Sequence, residues 1–319
     1  MAALDRFMQE QAAQFEPEIR EMAAYCLESS GKRLRPTLVF LSGWQGEGVV
    51  NDALVRAAGV VEMVHLATLV HDDIMDRAEL RRNRGTASRE FGPDTAVLLG
   101  DALFAQALHI AAHFPTTDVC RMVSESTRKV CSGEIMQTLH RRDMGVSRED
   151  YYRVIDLKTA ELFRVSCHLG AKLAGFSAEF VRAANDFGRH LGIAYQIYDD
   201  LVDFLGEETK IGKTLGTDLA SGKLTLPLMR LLEKLSAEER AEIVGAMQQG
   251  RPLPLGVNVE RMRALDIGGD VAQAVYEELQ RAADVLKSSA GLAPVPLMLE
   301  LSDLLKKQLA GLSSSASEP

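Results

Sequence analysis

Two aspartate clusters of identical spacing constrain this chain more than any other feature. The first spans residues 72–76 with the sequence D-D-I-M-D, and the second spans residues 199–203 with D-D-L-V-D. Each ends a long apolar stretch, for which a buried helix is the expected conformation. On a helix, residues four apart lie about 40° apart in projection, so the outer aspartates of each cluster share a face. The middle aspartates, Asp73 and Asp200, turn about 100° away and are expected to support their neighbours.

Carboxylate pairs on apolar helices repel each other unless cations lie between them. Hard divalent cations with oxygen ligands are the simplest solution. The clusters therefore predict bound magnesium that also holds a substrate phosphate.

Composition excludes several other classes of protein. The 319 residues are 46% apolar, which suffices for a large core, and the net charge of -9 argues against nucleic acid as a partner. Four cysteines without a C-x-x-C pair indicate core thiols in a reducing compartment. The longest apolar stretch, 96–114, contains Asp101, Gln106 and two histidines, which is typical of a buried helix rather than a membrane span. With no signal-peptide core at the N-terminus, we expect a cytoplasmic protein without stable membrane insertion.

The remaining pattern predicts an all-α chain with no strand pair. Helical periods cover segments 53–71, 96–114, 117–139, 148–173 and 180–204. Ser147 and Ser236 each precede an acid by three residues, as helix-capping serines do, and 249–258 is expected to be an exposed connection. We expect one helical-bundle domain over residues 1–312 and a disordered tail at 313–319.

The segment 206–223, after the second cluster, differs from its surroundings. It contains four glycines and three lysines, Lys210, Lys213 and Lys223. Glycines let a backbone approach an anion closely, and lysines supply mobile charge. A solvated surface loop is the alternative, but the position beside a carboxylate cluster favours a lid over phosphate.

Basic residues also accompany the first cluster. G-K-R-L-R-P occupies 31–36, and an arginine pair occupies 81–82. Solvated charged faces are the alternative for each group alone, but arginine forks suit diphosphate oxygens. His65 lies seven residues before Asp72 and therefore returns to within about 20° of the same helix face.

Five motifs, in order, carry a family resemblance. They are G-K-R-L-R-P at 31–36, E-M-V-H at 62–65, D-D-I-M-D with R-R at 72–82, K-T at 158–159, and Y-Q-I-Y-D-D-L-V-D with the lysine loop at 195–223. The chain resembles the trans-isoprenyl diphosphate synthases (polyprenyl synthetases), all-helical enzymes that join isopentenyl diphosphate to an allylic diphosphate. The resemblance implies a helical bundle with a central, largely apolar cavity. It also implies a homodimer and about three magnesium ions at the site.

The resemblance also implies roles for individual residues. Metal ligands would be Asp72, Asp76 and Asp199, with Asp73 and Asp203 close by, directly or through water. The allylic diphosphate would be contacted by Arg81, Lys158 and Lys213, with Lys223 as a further substrate-binding lysine. Isopentenyl diphosphate would be held by Lys32, Arg35, His65 and Arg82. Gln196 and Thr159 would direct oxygen dipoles at developing positive charge.

Product length depends on the residues one turn before Asp72. In short-chain relatives bulky aromatic residues there stop the growing tail, whereas this chain has Ala67 and Thr68. The tail is therefore expected to pass deeper, towards Met63 or Val64, and the product to exceed twenty carbons. Small residues also let helices pack closely, which is the alternative. Asn83 departs from the glycine of many relatives but removes no ligand.

Other functions remain as alternatives. A short-chain farnesyl or geranylgeranyl diphosphate synthase is the first. A class I terpene cyclase usually builds its second metal motif from Asn, Ser or Thr and Glu, and has no use for the motif at 31–36. A non-catalytic partner subunit normally lacks aspartates from one cluster, and both clusters are complete here.

Overall fold

The computed structural model describes residues 1–28, 31–47, 51–81, 83–206, 215–251 and 253–315. Within them, the predicted all-α class is confirmed. Helices α1 to α8 are Ala2–Ala12, Arg20–Leu27, Leu34–Ser42, Asp52–Met75, Ala87–Phe91, Pro93–Ala112, Asp118–Leu139 and Arg148–Ile155. Helices α9 to α16 are Glu161–Leu173, Ala178–Leu205, Thr217–Ser221, Leu226–Lys234, Ala237–Gln248, Leu255–Ala264, Ile267–Val285 and Pro294–Ser315. A π-helical turn, Asp156–Ala160, joins α8 to α9, and a 3₁₀ turn, Lys287–Ser289, precedes α16.

The apolar helices of the sequence lie where the periodicity predicts them. Segments 53–71, 96–114 and 180–204 fall in α4, α6 and α10, each within a few residues. Both capping serines are confirmed, because Ser147 and Ser236 each form a capping box with the acid three residues on. The segment 148–173 is not one regular helix, since the π-helical turn interrupts it.

The described residues divide into two units. The first contains Met1–Arg128, Leu162–Gly188 and Leu286–Met298. Its centre is α4, which packs mainly against α6 and then against α3 and α1. Every α4 residue from Ala57 to Val64 is buried, and each valine or methionine among them contributes about 1.5–3 kcal/mol when fully buried.

The second unit contains Lys129–Glu161, Arg189–Val285 and the chain from Leu299 onward. Within it, α12 packs against α15 and α8. Its core includes Phe204, Leu228 and Val275, all nearly or fully buried. This packing fixes α8 and the π-helical turn that follows it.

Two expectations need correction, and a third concerns a tail that lies only partly within the described residues. A two-stranded antiparallel hairpin, Leu80–Arg81 with Arg84–Gly85, is present where no strand pair was expected. The connection at 249–258 is shorter than predicted, since α14 begins at Leu255 after Pro254. Helix α16 ends at Ser315, inside the predicted tail. Residues 316–319 lie outside the described residues, so the domain boundary at 312 stays a prediction.

Candidate active site

The first aspartate cluster forms the last turn of α4. Asp72 is half-buried and Asp76, which caps the helix, is exposed, whereas Asp73 is only 5% exposed. This division follows the helical wheel, on which the outer aspartates share one face. Two carboxylates thus point away from the core at the end of one helix, where a cation can reach them.

The buried aspartate of this cluster, Asp73, is bonded to Arg81, a predicted ligand of the allylic diphosphate. Arg81 donates through Nε and Nη2 to Asp73 Oδ1 at 2.8 and 2.6 Å. Burial lowers the pKa of Arg81, but the bond to Asp73 and the charges of Asp72 and Asp76 raise it overall. The Nη1 edge of the guanidinium lies outside this pairing and can face a phosphate.

The hairpin that carries Arg81 turns through Asn83, whose φ of 59° is left-handed. Asparagine and glycine tolerate that conformation best, so Asn83 suits this turn. Arg82, the predicted ligand beside it, lies outside the described residues.

Two predicted ligands of isopentenyl diphosphate are in direct contact. Arg35 Nη1 lies 2.9 Å from His65 Nε2. Because arginine can only donate, Nε2 is the acceptor and the proton of this neutral imidazole is on Nδ1. Arg35 also stacks on the Phe163 ring at 5.1 Å, whereas Lys32 is exposed.

The two predicted chain-length residues differ in environment. Thr68 is half-buried and donates to the carbonyl of His65 at 2.6 Å, whereas Ala67 is 0% exposed. Met63 and Val64, the predicted deeper floor, are also buried. Of the two, Thr68 is therefore the one placed to border open space.

The second cluster lies in α10 and divides differently, because its last aspartate is buried along with the middle one. Asp199 is half-buried, whereas Asp200 and Asp203 are 4% and 2% exposed. Asp200 accepts from Tyr151 Oη at 2.6 Å and from Gln196 Nε2 at 2.7 Å. Burial and the charge of Asp218 raise the pKa of Asp200 well above its usual range, and the two hydrogen bonds offset part of that rise.

Asp203, a predicted metal ligand, is committed to another helix. Its Oδ1 accepts from Thr217 Oγ1 at 3.0 Å, and its Oδ2 accepts from the Asp218 amide at 3.0 Å, so it caps α11. Each oxygen retains a second lone pair, and the metal role of Asp203 stays a prediction. Lys223 lies 3.7 Å from Asp218 Oδ1, and residues 207–214 of the predicted lid, with Lys210 and Lys213, lie outside the described residues.

The π-helical turn presents its two predicted catalytic residues to different neighbours. Lys158 Nζ donates to Gln137 Oε1 at 2.8 Å and pairs with Glu134, both on α7. Thr159 Oγ1 donates to Gln196 Oε1 at 2.7 Å. Such a turn inserts one extra residue into a helix and often marks a functional site.

Sequence reasoning missed Tyr151, Glu134 and Gln137. The two α7 residues are three apart, a spacing that puts polar groups on one helix face and was available in the sequence. Tyr151 carries no such signal, because its partner Asp200 is distant in the chain.

The similarity to known proteins covers the part of the chain that holds these residues. The family model for polyprenyl synthetase matches residues 16–252. Octaprenyl diphosphate synthase of Haemophilus influenzae is 33% identical over 276 residues, covering 85% of this chain and 82% of that protein. All-trans-nonaprenyl-diphosphate synthase (geranyl-diphosphate specific) of Rhodobacter capsulatus is 32% identical over 292 residues, covering 90% of this chain and 89% of that protein.

A solved structure is similar over nearly the whole chain. The polyprenyl synthase of Caulobacter crescentus CB15, complexed with calcium and isoprenyl diphosphate, superposes with a TM-score of 0.89 at 28% identity. The match covers 96% of this chain and 94% of that one.

Proposed function

This chain belongs to the polyprenyl synthetase family, and on that premise we propose that it condenses isopentenyl diphosphate with an allylic diphosphate to make a trans-polyprenyl diphosphate longer than twenty carbons. The observation that carries the proposal is the family match over residues 16–252, which includes both complete aspartate clusters. The Arg35–His65 pair and the Thr159–Gln196 pair support it, because each joins two residues assigned to one step.

Magnesium fits the donor set of these residues. Asp72, Asp76 and Asp199 offer carboxylate oxygens on half-buried or exposed side chains. Mg²⁺ usually binds through one or two carboxylates and completes its shell with phosphate and water, so such a site needs few protein oxygens. We propose about three such ions, held by Asp72, Asp76 and Asp199 with Asp73 and Asp203 behind them. When bound, magnesium neutralises diphosphate charge and so makes it a better leaving group.

The side chains of this protein would then act on the two substrates. Arg81, Lys158 and Lys213 would bind the allylic diphosphate and stabilise the charge that grows on it as the carbon–oxygen bond breaks. Lys158 is held between Glu134 and Gln137, so its ammonium is oriented before substrate arrives.

The second substrate would be held by Lys32, Arg35, His65 and Arg82. Its double bond attacks the allylic cation, whose positive charge the oxygens of Gln196 and Thr159 would face. A proton is then lost, and the departing diphosphate is the proposed acceptor. Closure of the 206–223 segment over the phosphates would exclude water from the cation.

Small residues support a long product. Thr68 is small and half-buried, so it would leave room for an elongating tail. Relatives named octaprenyl and nonaprenyl diphosphate synthase support the same assignment. A short-chain synthase is the alternative, and it is less supported because no aromatic residue occupies position 67 or 68.

The partly exposed apolar helix α6 supports a further part of the proposal, which is self-association. By length and composition, α4 and α6 are the two described helices apolar enough to cross a membrane, and the apolar stretch of α4 is 67% buried but that of α6 only 39%. On α6, Leu98 is 67% exposed. We propose that a second copy covers α6 in a cytoplasmic homodimer, without stable membrane insertion.

The experiment that tests the function is a product assay. The purified protein is incubated with magnesium, labelled isopentenyl diphosphate and farnesyl diphosphate, with chelator in a parallel reaction. We expect magnesium-dependent incorporation and extracted products longer than twenty carbons. Absence of incorporation would overturn the synthase assignment, and products of twenty carbons or fewer would favour the short-chain alternative.

A further inference from the structure

Four side chains of the second unit form one chain of hydrogen bonds. Tyr151 Oη donates to Asp200 Oδ2 at 2.6 Å, Gln196 Nε2 donates to Asp200 Oδ1 at 2.7 Å, and Thr159 Oγ1 donates to Gln196 Oε1 at 2.7 Å. Tyr151, Asp200 and Thr159 are all buried. The chain therefore links a phenol deep in the core to the amide assigned to face positive charge.

The direction of the Gln196 amide matters because its two ends have opposite polarity. The carbonyl oxygen would stabilise a neighbouring cation, whereas the NH₂ group would destabilise it. The two ends have nearly the same size and shape, so packing alone does not select one of them. Hydrogen-bond partners must make the selection.

Asp200 makes that selection. Asp200 Oδ1 accepts from the NH₂ end of Gln196, which turns the Gln196 oxygen the other way, where it accepts from Thr159 Oγ1. Asp200 can do this only while its own side chain is held in place. Its second oxygen is held by Tyr151.

Tyr151 is suited to that task. Burial and the nearby Asp200 raise the pKa of Tyr151 well above its usual value, so the phenol stays protonated and remains a donor. Tyr151, Gln196 and Asp200 line one cleft, with His140 among its other walls. The hydrogen bonds along this chain orient side chains that border the cleft.

We infer that Tyr151 is a positioning residue for the prenyl-transfer reaction, which acts through Asp200 to keep the Gln196 carbonyl directed at the allylic cation. The inference rests on the proposed function, in which Gln196 faces that cation. Tyr151 itself touches neither substrate. Its contribution is to hold one polarity of an amide dipole in place before the carbon–oxygen bond breaks.

The test compares Tyr151→Phe with Tyr152→Phe. Tyr152 is the adjacent residue, has an edge-to-face contact with the Tyr151 ring, and has no place in the hydrogen-bonded chain. Two rates are measured for each variant: condensation, and magnesium-dependent solvolysis of the allylic diphosphate without isopentenyl diphosphate. We expect Tyr151→Phe to lose about tenfold or more in kcat for both reactions, with both KM values and the Tm close to wild type, and Tyr152→Phe to be unchanged.

A double-mutant comparison separates positioning from general damage. If Tyr151 acts through Gln196, then Tyr151→Phe combined with Gln196→Leu is no slower than Gln196→Leu alone. Asp200→Asn, which keeps the shape of the side chain, should show the same pattern and serves if Tyr151→Phe folds poorly. Additive losses in these pairs, wild-type kcat in Tyr151→Phe, or a loss confined to KM would overturn the inference. Failure of the proposed function is distinguishable, because wild-type protein would then show no incorporation at all.

Discussion

Arg35 Nη1 donates a hydrogen bond to His65 Nε2 at 2.9 Å, and this pair joins α3 to the centre of α4. Because Nε2 accepts this bond, the proton of the neutral imidazole is on Nδ1. One hydrogen bond thus orients both the guanidinium of Arg35 and the Nδ1 donor of His65.

Removal of the His65 acceptor should weaken isopentenyl diphosphate binding selectively. His65→Phe is expected to raise the KM for isopentenyl diphosphate about tenfold, which is about 1.4 kcal/mol, because Arg35 loses its partner. The KM for the allylic substrate should stay unchanged. His65→Gln, which retains an acceptor, is the matched control and should lose less. Equal effects on both KM values would contradict the assignment. Steady-state kinetics with each substrate varied in turn provides the measurement.

Loss of an outer aspartate should abolish turnover without unfolding the chain. Asp72→Ala and Asp199→Ala are each expected to lower kcat by about 100-fold or more, because each removes a proposed metal ligand. The Tm of the metal-free protein should not fall, since each change relieves repulsion among carboxylates. Asp94→Ala, at an exposed position on α6, is the control and should keep wild-type activity. Near-normal kcat in either test variant would remove the metal assignment for that residue.

The π-helical turn depends on a close approach by α7. A Cβ at Gly133 would lie 2.7 Å from the Lys158 backbone nitrogen, so Gly133→Ala must displace the turn. We expect a loss of about tenfold in kcat, because Lys158 and Thr159 move together. Gly245→Ala on α13 is the matched control, since no atom lies within 4 Å of its Cβ. That control should stabilise the protein by about 0.5–1 kcal/mol at unchanged kcat. Both kcat and Tm are measured for each variant. Wild-type kcat in Gly133→Ala would contradict the expected role of the π-helical turn.

Bulk at position 68 should shorten the product. Thr68→Phe is expected to shift the product distribution to shorter chains, because Thr68 borders open space. Thr68→Val removes the hydroxyl bond to the His65 carbonyl without adding bulk, and should leave product length unchanged. Chromatographic sizing of the extracted prenyl chains is the readout. Unchanged lengths with Phe at this position would place the tail elsewhere.

The neighbouring position should respond in stability. Ala67 is 0% exposed, so Ala67→Phe overpacks the core and is expected to destabilise the protein by about 1–3 kcal/mol. Thermal or denaturant unfolding measures the change. An Ala67→Phe variant as stable as wild type would mean that the side chain enters open space instead.

The sequence predicts the helices well and the orientation of most of their aspartates, but Asp203, expected on the same face as Asp199, is 2% exposed. Apolar periodicity suffices to locate α4 and α10, and the helical wheel correctly places Asp73 and Asp200 on the buried side. Contacts such as Tyr151–Asp200 could not be predicted, because they depend on how α8 packs against α10. The hairpin was missed since two-residue strands show no alternation.

The π-helical turn between α8 and α9 has a consequence for sequence variation. Lys158 and Thr159 are adjacent in the chain, yet the extra residue in the turn lets each face its own partner helix. Deletion of one residue from Asp156–Ala160 would restore a regular helix with good hydrogen bonding and turn every following side chain by about 100°. A substitution in this turn changes one side chain, whereas a change in its length reorients every side chain that follows. Related chains should therefore keep the number of residues in this turn constant.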